Sequence, residues 1–167
     1  EKAAPRQMKP AAHVLFPVGD KGGPTRDLLK ASRSEHFFAN LFNRHCIQCN
    51  QPSIGIKCSI CGTKTSVAYR CSNCRDTLKE PFCEKCKRKA PAHSHQAFPL
   101  KRRLLLAQEK MGIRAKEPFK GVKELISQDK IAEPLEKGLV RQNFGLTTFK
   151  DGTVRSDATN SPLTQFK

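Results

Sequence analysis

Cys46-Ile47-Gln48-Cys49, Cys58-Ser59-Ile60-Cys61, Cys71-Ser72-Asn73-Cys74 and Cys83-Glu84-Lys85-Cys86 decide how this chain folds. All eight cysteines of the sequence lie in these four Cys-x2-Cys turns, separated by gaps of eight, nine and eight residues. Two thiolates with two residues between them turn inward from one tight knuckle toward the same ion, and a second knuckle completes a tetrahedron. Four knuckles therefore predict two zinc sites of four cysteines each. Gly62 follows the second knuckle, where positive φ is commonly needed.

Other cysteine chemistries fit less well. Disulfide frameworks belong to small secreted chains, and nothing here points to secretion. A redox Cys-x-x-Cys is a single pair beside a βαβ pattern, not four evenly spaced pairs. Four cysteines also ligate iron–sulfur clusters, but matched knuckles at ribbon spacing favour zinc. Loop-closure entropy favours sequential pairing, with Cys46, Cys49, Cys58 and Cys61 on one ion and Cys71, Cys74, Cys83 and Cys86 on the other. A cross-braced arrangement would instead unite Cys46, Cys49, Cys71 and Cys74. Either way both sites are closed, so the metals are expected to fold the chain and not to catalyse. His45, His93 and His95 lie near the knuckles but read as ordinary surface histidines beside a full set of thiolates.

Working outward, residues 1–12 are polar and linker-like, and 13–45 read as strand, turn and helix. Val14 to Val18 predict a short buried strand, with Pro17 confining it to an edge or bulge. Thr25 is placed to cap a helix whose apolar face takes in Leu28, Leu29, Phe37, Phe38, Leu41 and Phe42. The cysteine module spans 46–98. In 99–121, Pro99 opens a helix with Leu100, Leu104, Leu105 and Met111 on one stripe, and Gly112 ends it. In 122–167, Leu146–Lys150 and Thr153–Arg155 flank Asp151-Gly152, a two-residue hairpin turn. The fold class expected is a small, zinc-stabilised α+β protein: two four-cysteine ribbons flanked by short helices and β-hairpins.

Hydrophobic residues make up only 37% of the 167 positions, with no Trp and one Tyr, a thin core that suits metal staples. Lys and Arg number 31 against 15 Asp and Glu, a net charge of +16. Such an excess suits a polyanionic partner, because each neutralised phosphate releases condensed counterions. Lys85, Lys87, Arg88 and Lys89 surround the last knuckle, and Lys101, Arg102 and Arg103 open the following helix. Together they are candidates for a face that tracks a DNA backbone without reading sequence. Little aromatic interleaving accompanies them, so base stacking is not expected. No apolar run approaches the ~20 residues of a membrane span.

Catalytic patterns are missing. Asp151 and Asp157 are the nearest approach to a carboxylate pair for Mg2+, and Asp151 is better explained by its turn. No Gly-x4-Gly-Lys loop, Ser/His/Asp order or His-Glu-x-x-His occurs. A start at Glu1 and a stop at Lys167, straight after a hairpin pattern, are what a piece of a longer polypeptide would show.

Two stretches outside the cysteines are more specific. One is His13-Val14-Leu15-Phe16-Pro17-Val18-Gly19 with Gly22-Gly23 and Thr25-Arg26-Asp27-Leu28. The other runs Lys130-Ile131-Ala132-Glu133-Pro134-Leu135-Glu136-Lys137-Gly138, then Phe149-Lys150-Asp151-Gly152-Thr153-Val154-Arg155 and Asp157 to Thr164. With the knuckles between them, they resemble the large subunit of archaeal family D DNA polymerases over most of the chain, from about Met8 to Lys167. Ser156 and Gln165 depart from the pattern, where an aromatic residue and a His would be expected.

The resemblance implies a replicative polymerase, archaeal, cytoplasmic and nucleoid-associated. Its partners would be DNA, a small subunit carrying 3′–5′ exonuclease activity, and a sliding clamp reached through the full-length protein. It also implies a double-psi barrel core whose Mg2+-binding Asn-x-Asp-Gly-Asp loop has no match here and would lie beyond Lys167. A free-standing zinc-ribbon binder of nucleic acid, or a purely structural interaction module, would share the cysteines but not the flanking stretches.

Overall fold

Phe16, Val18, Leu28, Leu41, Phe119, Ile131 and Leu139 are the large side chains around which the chain condenses, each at most 1% exposed. They come from both ends of the sequence, so the core is built by long-range contact. The structure, a computed structural model, describes residues 12–127, 130–148 and 154–155. Strand β1 (Ala12–Val14) pairs in parallel with the distant β11 (Lys130–Ala132), putting His13 opposite Ile131. Beyond β1 the chain stays in register with 119–123: Val122 donates to the Phe16 carbonyl at 3.0 Å, and Val18 donates to the Val122 carbonyl at 2.7 Å. The expected strand over Val14–Val18 is thus shorter. Pro17, lacking an N–H, continues it only as an isolated bridge to Val122.

The single helix expected after Thr25 is divided. Helix α1 is five residues long (Leu28–Ser32), and its N-cap is Asp27, whose carboxylate accepts from Leu29 N at 2.8 Å. The same oxygen accepts from Phe119 N at 3.2 Å, tying the cap to the opposite end of the core. Phe38–Phe42 then forms β2, antiparallel to β10 (His93–Ala97), with Asn40 opposite His95. Alternation explains the outcome: Ala39 and Leu41 face the core while Phe38 points out. A short apolar run fits helix or strand alike until its partner is known, and β10 lies more than fifty residues away.

Helix α2 (Leu100–Met111) begins and ends where the sequence placed it, closing at Gly112 with φ 64°. Leu100, Leu104 and Ala107 form its buried face, whereas Leu105, expected on the stripe, is 51% exposed. Helix α3 (Leu135–Asn143) packs beside α2. Strands β12 (Thr147–Thr148) and β13 (Val154–Arg155) pair antiparallel, as a hairpin requires; the Asp151-Gly152 turn lies outside the described residues.

Between β2 and β10 the chain makes an excursion that holds both cysteine units. Its mouth is held by Asn43 N to Ala92 O at 2.7 Å, Ala68 N to Asn43 O at 3.0 Å and Arg70 N to Pro91 O at 3.0 Å. The first unit is a three-stranded sheet with β3 (Arg44–Cys46) between β4 (Pro52–Ser53) and β5 (Thr65–Val67). The second consists of two small ladders, β6 (Tyr69–Arg70) with β7 (Thr77–Leu78) and β8 (Phe82–Cys83) with β9 (Arg88–Lys89).

Candidate metal centres and basic surface

Each knuckle repeats one backbone solution. The residue after its second cysteine adopts left-handed φ: Asn50 at 51°, Gly62 at 73°, Arg75 at 61° and Lys87 at 51°. That turn lets Asn50 N donate to the Cys46 carbonyl (3.1 Å), Gly62 N to that of Cys58 (3.0 Å) and Arg75 N to that of Cys71 (2.9 Å). Three of the four positions are not glycine, so each carries a modest steric cost. The same conformation repeated four times marks a geometry imposed by what the thiols must converge on. Only Gly62 signalled it in the sequence. Arg75 and Lys87 gave no cue.

The sulfurs meet in two groups, Cys46, Cys49, Cys58 and Cys61, then Cys71, Cys74, Cys83 and Cys86, with all ligand atoms of a group within 4.8 Å of one another. This is the sequential pairing; the cross-braced alternative does not occur. Sγ–Sγ separations are 3.3 Å for Cys46 and Cys61, 3.7 Å for Cys49 and Cys58, and 3.6 Å for Cys74 and Cys83. A disulfide would require about 2.05 Å, and all eight cysteines are free. Four thiolates at about 2.3 Å from a central ion would lie about 3.8 Å apart, close to the spacing found.

The electrostatics also call for a cation. Hydrogen bonds from Thr63 pull the Cys61 thiol down to about 6. The backbone N–H groups of Cys74 and Asn73 pull Cys71 down to about 6. Cys49, despite an N–H from Gln51, is pushed up to about 12 by its crowding sulfur neighbours and burial. Cys74 is likewise pushed up to about 12, the Asp76 N–H being outweighed by burial and neighbouring thiols. Four thiols held this close cannot all ionise unless a positive ion shares the charge. The donor set and spacing therefore fit a four-coordinate metal.

The histidines stand apart from both groups. His45 Nε2 lies 2.8 Å from Ser66 Oγ, and His95 stacks on Phe38 with ring centroids 5.8 Å apart.

The seven candidate cations fall on two elements. Lys85, Lys87, Arg88 and Lys89 sit on or beside the β8–β9 ladder of the second unit. Lys85 bonds Asp76 at 2.7 Å and Lys87 bonds Glu84 at 2.9 Å, both in exposed pairs that water screens. Lys101, Arg102 and Arg103 occupy the first turn of α2, which has no acidic residue and no side-chain cap. Cations at a helix N-terminus oppose the macrodipole, typically by 0.3–1 kcal/mol each. Uncapped N–H groups and three like charges there make a concentrated positive potential that an anion would relieve. Among the described residues, no helix is long and apolar enough to cross a membrane.

Comparison with known sequences agrees with the flanking stretches. A family model described as the central domain of the DNA polymerase II large subunit DP2 matches residues 1–80, and one described as the catalytic domain of the same subunit matches residues 112–167. The chain belongs to the DNA polymerase II large-subunit family. Family members so named are 57% identical in Cenarchaeum symbiosum and 37% identical in Archaeoglobus fulgidus, each over 100% of this chain and 15% of the relative. The Haloquadratum walsbyi large subunit is 35% identical over 98% of this chain and 8% of its own length. The chain thus spans only about 15% of the length of the Cenarchaeum symbiosum and Archaeoglobus fulgidus relatives it matches. The two family models meet on either side of residues 81–111, which hold Cys83, Cys86 and α2.

Proposed function

We propose that this chain is the metal-stapled segment of an archaeal DNA polymerase large subunit, joining its central region to its catalytic region and contacting the DNA backbone. The observation that carries this reading is the match of the whole chain to large subunits of that name, from both flanking family regions. In this reading both ions are zinc. Cys46, Cys49, Cys58 and Cys61 hold one, and Cys71, Cys74, Cys83 and Cys86 the other. Such an ion supplies cross-linking between distant turns, and with four protein ligands it leaves no position for substrate.

The polymerase would transfer nucleotides with Mg2+ held outside this chain, since no paired carboxylates of that kind occur in it. Its partners would be DNA, a small 3′–5′ exonuclease subunit and a sliding clamp, and its place the archaeal cytoplasm at the nucleoid. Lys85, Lys87, Arg88, Lys89, Lys101, Arg102 and Arg103 would touch phosphates. The excess charge of +16 and the uncapped, cationic start of α2 support this assignment.

Two measurements on the intact polymerase test the reading. Elemental analysis should return about two zinc ions from this region, read as the loss on replacing Cys49 and Cys74 with serine. Binding to duplexes of unrelated sequence should fall uniformly on Lys101→Ala/Arg102→Ala/Arg103→Ala. The slope of log K against log salt should shrink by about 0.9 for each phosphate contact removed. An unchanged slope removes α2 from the DNA path.

A further inference from the structure

The two ribbons share one backbone design but present different surfaces. In the first, the turns that close on the ion carry Ile47 and Ile60, 66% and 69% exposed, with uncharged Gln48 and Ser59 beside them. In the second, the same turn positions hold Ser72, Asn73, Glu84 and Lys85, and Lys85 and Glu84 are both ion-paired. Covering the first pair of turns removes apolar surface from water and desolvates no charge. Covering the second would strip water from two ion pairs, which costs more than it returns.

The first ribbon is also the one already embedded in protein. Ile54, Ile56 and Val67 lean on the hydrophobic core, whereas the second unit reaches it through Tyr69 at its base and no residue from Cys71 to Cys86 belongs to that cluster.

We infer that Ile47 and Ile60 form the docking point of the first ribbon for an apolar surface elsewhere in the same polypeptide, leaving the second ribbon in water or against phosphate. The occupant follows from length and chemistry. Relatives extend far beyond the matched segment, which is 15% of them, so most of the subunit's apolar surface lies outside it. DNA backbone is a poor match for two isoleucines, which offer phosphate neither charge nor donor. The inference rests on the large-subunit reading but not on the DNA-contact assignment, so the two can fail separately.

The test is a photoreactive aliphatic residue placed singly at 47, 60, 72 or 84 in the full-length polymerase, with cross-links mapped by mass spectrometry with and without DNA. Zinc content equal to the parent's confirms that each labelled protein is folded at the ribbons. Expected are strong links from 47 and 60 to apolar residues of the same chain outside this segment, unaffected by DNA, with background yield from 72 and 84. Links from 47 or 60 to DNA or to another subunit, equal yields at all four positions, or no link at all would overturn the proposal.

Discussion

Replacing Arg141 with methionine tests how the core tolerates its one buried ion pair among the described residues. Arg141 Nη2 lies 2.6 Å from Glu133 Oε1 and 3.2 Å from the Lys120 carbonyl, with the guanidinium 5.9 Å from the centre of the Phe119 ring. The two side chains are 7% and 5% exposed. Burial raises the Glu133 pKa above its ordinary value even though Arg141 pulls it down, so desolvation outweighs attraction. Removing one partner of a buried pair costs about 3–5 kcal/mol. The sign of the pH dependence follows. A folded pKa above the unfolded one means the native state holds the extra proton, so stability falls as pH rises from the ordinary carboxylate value through the raised one. Without Arg141 that pKa climbs further, and the decline extends to higher pH. Amide exchange over β11 and α3 in the intact subunit should therefore show protection falling roughly 10²- to 10⁴-fold at pH 8 and little at acid pH, since 1.36 kcal/mol is one decade. Glu133→Gln/Arg141→Met should recover most of it. Equal losses at both pH values, or no recovery in the double variant, would refute the account.

Gly121→Ala should destabilise the parallel junction, because an added Cβ would lie 2.6 Å from the Phe16 carbonyl oxygen and 2.8 Å from Val18 Cγ1. About 1–3 kcal/mol is expected from thermal melting, and a neutral result would mean the backbone there gives easily. Asp27→Ala removes the acceptor of both Leu29 N and Phe119 N and should cost about 1–3 kcal/mol, with faster exchange at those two amides before any others. Graded chelation should open residues 71–86 first and 46–61 later, while β1, β11 and α3 keep their protection. Simultaneous loss across all of them would contradict the separation of excursion from core.

The sequence was most legible where covalent spacing settles geometry. The Cys-x2-Cys intervals announced both sulfur groups and their pairing, and Pro99 and Gly112 bracketed α2 to the residue. It was least legible where a distant partner decides. Phe37 to Phe42 carry enough apolar residues for a helix face, but the hydrogen-bond partners offered by β10 make Phe38–Phe42 a strand. Thr25 looked like the cap, yet only Asp27 reaches both α1 and the 119 segment. Leu105 is as apolar as Leu104, but the helical period puts Ala107, seven residues after Leu100, on the inner face and leaves Leu105 off it. The left-handed turns at Arg75 and Lys87 had no signal in residue type, since the sulfur groups impose them.

The border between the two family regions is not a border in the folded chain. Residues 12–28 and 119–133, one side from each region, share strand pairing, carbonyl–amide bonds and a single hydrophobic cluster. What separates them in sequence is largely the excursion between β2 and β10, whose mouth is tied by three backbone hydrogen bonds. Between Cys71 and Cys86 only two cysteines are fully buried, so apolar burial cannot hold this part in place. Its shape must come from cross-links within it, and Cys71, Cys74, Cys83 and Cys86 are placed to provide them. A ribbon fixed this way keeps its orientation without a core of its own, and charged side chains on it stay exposed where a hydrophobically stabilised domain would need apolar ones. That freedom allows Lys85, Lys87, Arg88 and Lys89 to crowd one small ladder. Metal held at the sulfur groups would then be the reason a basic surface can stand out from this core at all.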